Sequence, residues 1–256
     1  MSNHRNGSDW VNSNIDVTSS IDILSMQYHM NQWTEPKEST KAFSEFFRDE
    51  LAHSKRILDI GAGAGAATYY LASRNSSTSF IGVDHSRELI KSAEETSKEF
   101  NLTNLSFDAG DWFNLNKKWN GVDGVISLAT LSWLPEMINP MTQIFEVIKP
   151  GWVGLTSLFY EGDISCRIEV LEHSRNKKTF YNVYSLKELN RLAVQYGYEI
   201  VNFNRFDIAR DIPKPTNIDL MSTFTEKVEG SLEYSRLQIS GPLLMNWYLV
   251  LIKKLK

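Results

Sequence analysis

The chain has 256 residues, 42% of them hydrophobic and 23% charged, and carries a formal net charge of −4. That length supports one full α/β domain with a small appendage, and the charge balance argues against a broad basic field for duplex nucleic acid. The single cysteine, Cys166, excludes an intramolecular disulfide framework and a cysteine-ligated metal site, and no metal is expected.

Residues 1–54 read as a polar tail followed by a helical lid. The start, MSNHRNGSDWVNSN, is Asn- and Ser-rich and lacks the apolar core of a signal peptide. No run of about 18 apolar residues is present to span a membrane, so a cytoplasmic protein is expected. Between residues 21 and 51 the pattern is helical but broken at Glu35-Pro36. Ser39 and Thr40 are candidate caps for a helix carrying Phe43, Phe46 and Phe47 on one face.

Residues 55–256 alternate strands and helices. ILDI is the first strand, and a helix opens at Ala66. SFIGVD, ending at Asp84, is the second strand. Ser86 caps an amphipathic helix running to Phe100, with Glu88 and Glu94 on its polar side. LSFDAGDW contains the third strand and VDGVISLAT the fourth. A helix over 141–148 is stopped by Pro150-Gly151, and VGLTSLFYE is the fifth strand. A helix capped by Ser185 ends at Gly197. VNFNRFDIA and WYLVLIKK complete the set as sixth and seventh strands. Such alternation predicts a Rossmann-like, doubly wound, mostly parallel α/β sheet. Two stretches near 162–184 and 211–240 break the pattern and read as insertions around a substrate mouth.

The run ILDIGAGAG, 57–65, carries most of the functional information. An apolar strand ends in Asp59, and Gly61, Gly63 and Gly65 follow. Glycines in such a strand-to-helix turn let a ligand approach the backbone. GAGAGA also satisfies a dinucleotide fingerprint, and an acid about 20 residues on, here Asp84, suits ribose hydroxyls in either case. Three features separate the readings. Asp59 stands two residues before the first glycine, where dinucleotide folds usually carry an apolar residue. A further acid, Asp111, follows the third strand and precedes Trp112. EVIKPGW announces the fifth strand.

The order LDIGAGAG, GVD, GDW, DGVISLATLSWLPE, IKPGW resembles the class I S-adenosylmethionine-dependent methyltransferases across roughly 55–160. The resemblance implies a seven-stranded sheet whose C-terminal strand is antiparallel, and S-adenosyl-L-methionine as cofactor with S-adenosyl-L-homocysteine as product. It implies that the glycine bend passes under the methionine part and that Asp59 helps hold its amino group. Asp84 would bind both ribose hydroxyls, and His85 would flank the adenine. Asp111 would accept from the adenine amino group, the Trp112 backbone N–H would meet the ring, and the backbone at Leu128 would lie near the methionine amino group. Trp152 departs from the family pattern, which usually has a second glycine after Pro-Gly, at a turn remote from the cofactor.

The acceptor is less legible. The NPPY-type tetrapeptide for a flipped adenine is absent, because SLAT follows the fourth strand. Cys166 follows Ser165 and lies elsewhere, so the Pro-Cys nucleophile of cytosine C5 chemistry is missing too. The LSWLPE loop and the insertions favour a small polar acceptor methylated at oxygen or nitrogen, such as a sugar, an amino-acid-like metabolite or a natural-product intermediate. No DNA or membrane partner is expected, and the assembly is a monomer or homodimer. His29 is the candidate general base, with an unperturbed pKa near working pH, and Glu161 the candidate carboxylate; a hydrogen-bonded lid histidine without a catalytic task is the alternative. Tyr28, Trp33, Trp133, Tyr160 and Tyr181 are candidate substrate contacts. Asp163, Tyr184, Gln238, Asn246 and Trp247 are weaker candidates, with a core role favoured for Trp247. Rival readings are an RNA or protein methyltransferase, a non-catalytic cofactor-binding partner subunit, and a nicotinamide-dependent oxidoreductase.

Overall fold

The computed structural model describes residues 31–219, 221–228 and 236–255. The elements that position the site begin with α1 (Glu38–Phe46) and α2 (Arg48–His53), which precede β1 (Arg56–Ile60). There follow α3 (Ala66–Arg74), β2 (Ser79–Asp84), α4 (Arg87–Phe100), β3 (Leu105–Ala109) and β4 (Gly124–Leu128). Next come α5 (Ile138–Gln143), β5 (Trp152–Tyr160), β6 (Glu169–Glu172), β7 (Lys177–Phe180) and β8 (Tyr184–Ser185). The chain continues through α6 (Leu186–Gln195), β9 (Tyr198–Phe206), β10 (Thr223–Lys227), β11 (Arg236–Ser240), β12 (Leu243–Leu244) and β13 (Trp247–Lys254).

The main sheet runs β3-β2-β1-β4-β5-β13-β9, with β8 added beside β5. β1 pairs in parallel with both β2 and β4, and β4 with β5. The last strand, β13, is antiparallel to both β5 and β9. This is the expected Rossmann-like arrangement. β1 is the switch point, because the chain winds outward on one side through β2 and β3 and on the other through β4 and β5. Ligand crevices of open α/β sheets form at the carboxyl ends of strands at such a point.

Helices cover both faces. On one, Phe43 and Phe47 pack against each other at 4.2 Å between ring centroids, and Phe47 lies 5.9 Å from Trp152. That ring contact explains the departure at Trp152. The indole fills the space beneath α1 and donates to the Ser54 hydroxyl at 3.0 Å. The other face is a larger cluster in which Leu58, Val125, Val153 and Leu155 meet Met141, Phe145, Leu189 and Tyr198.

Three boundaries differ from expectation. Helix α1 begins at Glu38, with Lys37 as an extended N-cap and no side-chain cap bond, so neither Ser39 nor Thr40 caps it. Pro36 stops the helical turn over 31–34, and α1 can start directly beyond it. The helix expected over 141–148 starts at Ile138 and ends in a π-helical turn, Ile144–Ile148. Pro140 sits in its first turn, where no intrahelical N–H is needed. The sixth strand starts at Tyr198, directly after Gly197 at φ 78°. The caps at Ser86 and Ser185 form as read, accepting from Leu89 N–H and Glu188 N–H.

The two irregular stretches fold as short antiparallel pieces. β6 and β7 make one hairpin, and β10-β11-β12 make a separate three-stranded sheet.

Candidate active site

The bend after β1 is built by three glycines with left-handed backbone, φ 78°, 56° and 83° at Gly61, Gly63 and Gly65. Their reasons differ. A Cβ on Gly61 would stand 2.4 Å from the Thr130 hydroxyl, and one on Gly65 would stand 2.5 Å from the Phe107 ring. A Cβ on Gly63 would meet nothing within 4 Å. Two glycines therefore serve packing, and the third opens the backbone to free space. The bend is tied to the neighbouring strand by Gly61 and Ala62 N–H groups, which both donate to the Val83 carbonyl.

Asp59 lies beneath the bend, 1% exposed. Its Oδ2 accepts from the Thr68 hydroxyl of α3 at 2.7 Å, and its Oδ1 is buried without a hydrogen-bond partner. Burial pushes this carboxyl up to about 7; the Thr68 bond opposes the shift and the nearby Asp84 charge adds to it. A buried acceptor left open in this way calls for a donor, and a cationic one also relieves the desolvated charge.

Asp84, at the end of β2, accepts at Oδ2 from Gly63 N–H at 2.9 Å and at Oδ1 from Ser86 N–H at 2.9 Å. His85 Nδ1 stands 3.2 Å from Oδ1. Burial works to raise the Asp84 carboxyl, but bonds from His85, Ser86 and Gly63 together leave it below the usual carboxylate range. His85 is raised, first by its bond to Asp84 and further by the charges of Asp84 and Asp111. Asp84, His85 and Asp111 thus act on one another at the carboxyl edge. Asp111 accepts from Phe113 N–H at Oδ1, so it shapes its own turn. Trp112 buries its ring, and its indole N–H donates to the Pro140 carbonyl at 2.9 Å.

Leu128 closes β4 half-buried, and Ala129 beyond it holds an uncommon φ of 58°, its N–H donating to the Thr156 carbonyl. Thr130 then bonds through its hydroxyl to the Gly61 and Leu128 carbonyls, both at 3.3 Å. Thr68, Ala129 and Thr130 escaped the sequence reading. Each completes the bend from a distant segment, and only the TLSWLP loop hinted that β4 ends in something unusual.

The acceptor-side residues are distributed less evenly. Tyr28 and His29 lie outside the described residues. Trp33 is only 3% exposed, so it is corrected from a substrate contact to a clamp. Its indole N–H donates to the Ala64 carbonyl at 3.1 Å, and its ring packs on Tyr69 and Phe100. Trp133 and Tyr181 do meet, at 4.3 Å, and Trp247 meets Trp133 edge-on at 5.8 Å. All three are half-buried, so Trp247 is not simply core. Tyr160 is 47% exposed at the end of β5. Glu161 accepts from the Tyr248 hydroxyl at 3.0 Å, which turns it toward β13 and away from β4. Asp163 forms a two-pronged ion pair with Arg191 on α6, a tether for its loop. Asn182 and Tyr184 are buried: the Asn182 amide donates to the Leu134 carbonyl and the Tyr184 hydroxyl, and accepts from Ile168 N–H.

The strand order and this seat are together those of a class I S-adenosylmethionine-dependent methyltransferase. A family profile described as "Methyltransferase domain" matches residues 51–205, more than half of the chain, and the chain belongs to that family. It is 40% identical over 184 residues to the release factor glutamine methyltransferase of Buchnera aphidicola subsp. Acyrthosiphon pisum, covering 69% of this chain and 62% of that one. It is 27% identical over 117 residues to the trans-aconitate 2-methyltransferase of Variovorax paradoxus, covering 45% and 43%. The match therefore spans less than two thirds of the length of either relative. The N-terminal domain of EvdMO1, solved with SAH bound, shares the fold at a TM-score of 0.55 and 13% identity, over 86% of this chain and 82% of that one. Among the described residues no helix is long and apolar enough to cross a membrane.

Proposed function

We propose that the protein transfers a methyl group from S-adenosylmethionine to an oxygen or nitrogen of a small polar molecule. The observation that carries this reading is the open, buried Oδ1 of Asp59 beside a bend whose middle glycine faces free space. Those residues fit the cofactor. Asp59 would hold its amino group, Gly63 would admit its backbone-hugging chain, Asp84 would take the ribose hydroxyls, and His85 and Asp111 would flank the base. When bound, the cofactor supplies a methyl group on a good leaving group. The protein then has to align the acceptor and exclude water. Trp33 clamps the bend from outside, and Trp133, Tyr181 and Tyr160 supply the aromatic walls at the same strand edge. His29 remains the candidate base. Glu161, already bonded to Tyr248, is the weaker one.

A small acceptor is supported by the trans-aconitate 2-methyltransferase relative and by the insertions at the mouth. A second reading, methylation of a protein side chain, draws on the release factor glutamine methyltransferase relative. Incubating the protein with methyl-labelled cofactor and whole-cell extract separates them. Label in the low-molecular-weight fraction is expected, and label only in protein or RNA would overturn the first reading.

A further inference from the structure

Two carboxylates stand near the ends of adjacent strands in the seat, and they are supported very differently. Asp84 accepts from two backbone N–H groups, those of Gly63 and Ser86, and faces the His85 ring. Losing any one of these leaves it the others. Asp59 accepts a single hydrogen bond among the described residues, from the Thr68 hydroxyl to Oδ2 at 2.7 Å. Both residues are sealed from bulk water, at 0% and 1% exposure for Thr68 and Asp59. Solvent therefore does not stand in for the hydroxyl when it is removed.

The local chain explains the pairing. Asp59 alternates with Leu58 and Ile60, which enter the larger core, so its side chain leaves β1 on the opposite face, toward α3. Thr68 lies in the first turn of α3, just past the cap residue Gly65, which has no side chain to offer. The register partners of Asp59, Gly82 on β2 and Ile126 on β4, are uncharged. The charge that bears on it is that of Asp84, which His85 counters in turn. Burial and the Asp84 charge favour the protonated acid, and the Thr68 hydroxyl favours the ion. A hydrogen bond to an ionised group screened from water is among the strong ones.

We propose that Thr68 is a positioning residue: its hydroxyl orients the Asp59 carboxylate, keeps it ionised beneath the glycine bend, and so sets the pH range over which the seat takes up its cationic ligand. This rests on the cofactor assignment above and deepens it by naming the residue that regulates the seat. Asp59 need not touch the cofactor for this to hold. A buried negative charge four residues before Gly63, which faces free space, acts on an ammonium or sulfonium across a low-dielectric bend. Without the hydroxyl the acid keeps its proton at neutral pH, and the bend loses that charge. Valine is the apt replacement, because it matches the branched shape of threonine and puts a methyl group where the hydroxyl stands. Serine keeps the hydroxyl and drops the methyl.

The test uses the full chain between about pH 6 and 8.5, the range around an acid raised to about 7. Calorimetry with S-adenosylhomocysteine gives one profile, and the melting temperature of the ligand-free protein gives a second. In wild type the affinity rises with pH, while the Asp59-dependent part of the melting temperature falls, since the folded acid binds a proton that the unfolded one has released. Thr68→Val should move both profiles up by about one to two pH units, the size of a hydrogen bond to a charged group. At neutral pH that is about a tenfold loss of affinity, narrowing as pH rises. Thr68→Ser should keep the wild-type profiles even where it melts lower throughout. In an Asp59→Asn background the shape of neither profile should respond to Thr68→Val. Wild-type profiles in Thr68→Val, an affinity loss equal at every pH, or shifted profiles in Thr68→Ser would each overturn the proposal. Should the valine variant not fold, Thr68→Ala carries the same expectation and the same refutations. Failure of folded wild type to bind S-adenosylhomocysteine would instead remove the cofactor assignment, and the ligand-free melting profiles would still decide whether Thr68 governs Asp59.

Discussion

Asp59 shows how one residue couples fold, pH and ligand. The unfolded chain releases this proton near 3.8, and the folded protein near about 7. Between those values the folded state binds the extra proton, so this group makes stability fall as pH rises through that window. An ammonium placed against Oδ1 favours the ionised form. Affinity for S-adenosylhomocysteine should therefore rise as pH is taken up through about 7, with a proton released on binding, and Asp59→Asn should flatten the profile; calorimetry in buffers of different ionisation heat reads both. The glycines give a second prediction. Gly65→Ala should lower the melting temperature, because its Cβ meets Phe107 and φ is 83°. Gly63→Val should abolish cofactor binding, both by filling the open side and by straining a backbone held at φ 56°. The spacing of Asp59 and the three glycines announced this bend in the sequence. It did not announce that Gly61 and Gly65 are demanded by Thr130 and Phe107, because those partners come from the loop after β4 and from β3, far along the chain.

At the scale of elements, helices with a clear apolar face were legible, and their ends less so. Pro36 breaks the helical pattern where the sequence suggested, whereas Pro140, which the reading passed over, sits in the first turn of α5, where no intrahelical N–H is needed. The Phe43–Phe47–Trp152 contact makes α1 part of the core, so Phe47→Ala should cost roughly 3–5 kcal/mol of stability in a urea titration. The insertions carried no period to read. Their strands are short, and buried polar groups hold them where an apolar stripe normally would. Asn182 is the chief example, joining Leu134, Tyr184 and Ile168 across the aromatic wall. Asn182→Ala should leave S-adenosylhomocysteine affinity intact while changing the fluorescence of Trp133; a shift in cofactor affinity instead would show that the wall and the seat are not separate.

For the whole molecule, the strand order places every cofactor candidate at one edge. Gly61 to Gly65 follow β1, Asp84 ends β2, Asp111 follows β3 and Leu128 ends β4. Alternation of strand and helix made that edge predictable, because parallel strands all present their carboxyl ends to one side. Trp133, Tyr181 and Trp247 come from the loop after β4, the first irregular stretch and β13, and meet only in the folded chain, which no local pattern in the sequence could announce. The central claim is that this edge seats S-adenosylmethionine through Asp59, the glycine bend and Asp84. Titration calorimetry with S-adenosylhomocysteine on wild type and Asp84→Ala tests it most directly. The account predicts one site per chain, weakened by about 1.5–3 kcal/mol, or roughly 10- to 150-fold, in the variant. No binding by folded wild-type protein, or equal affinity in the two, would contradict it.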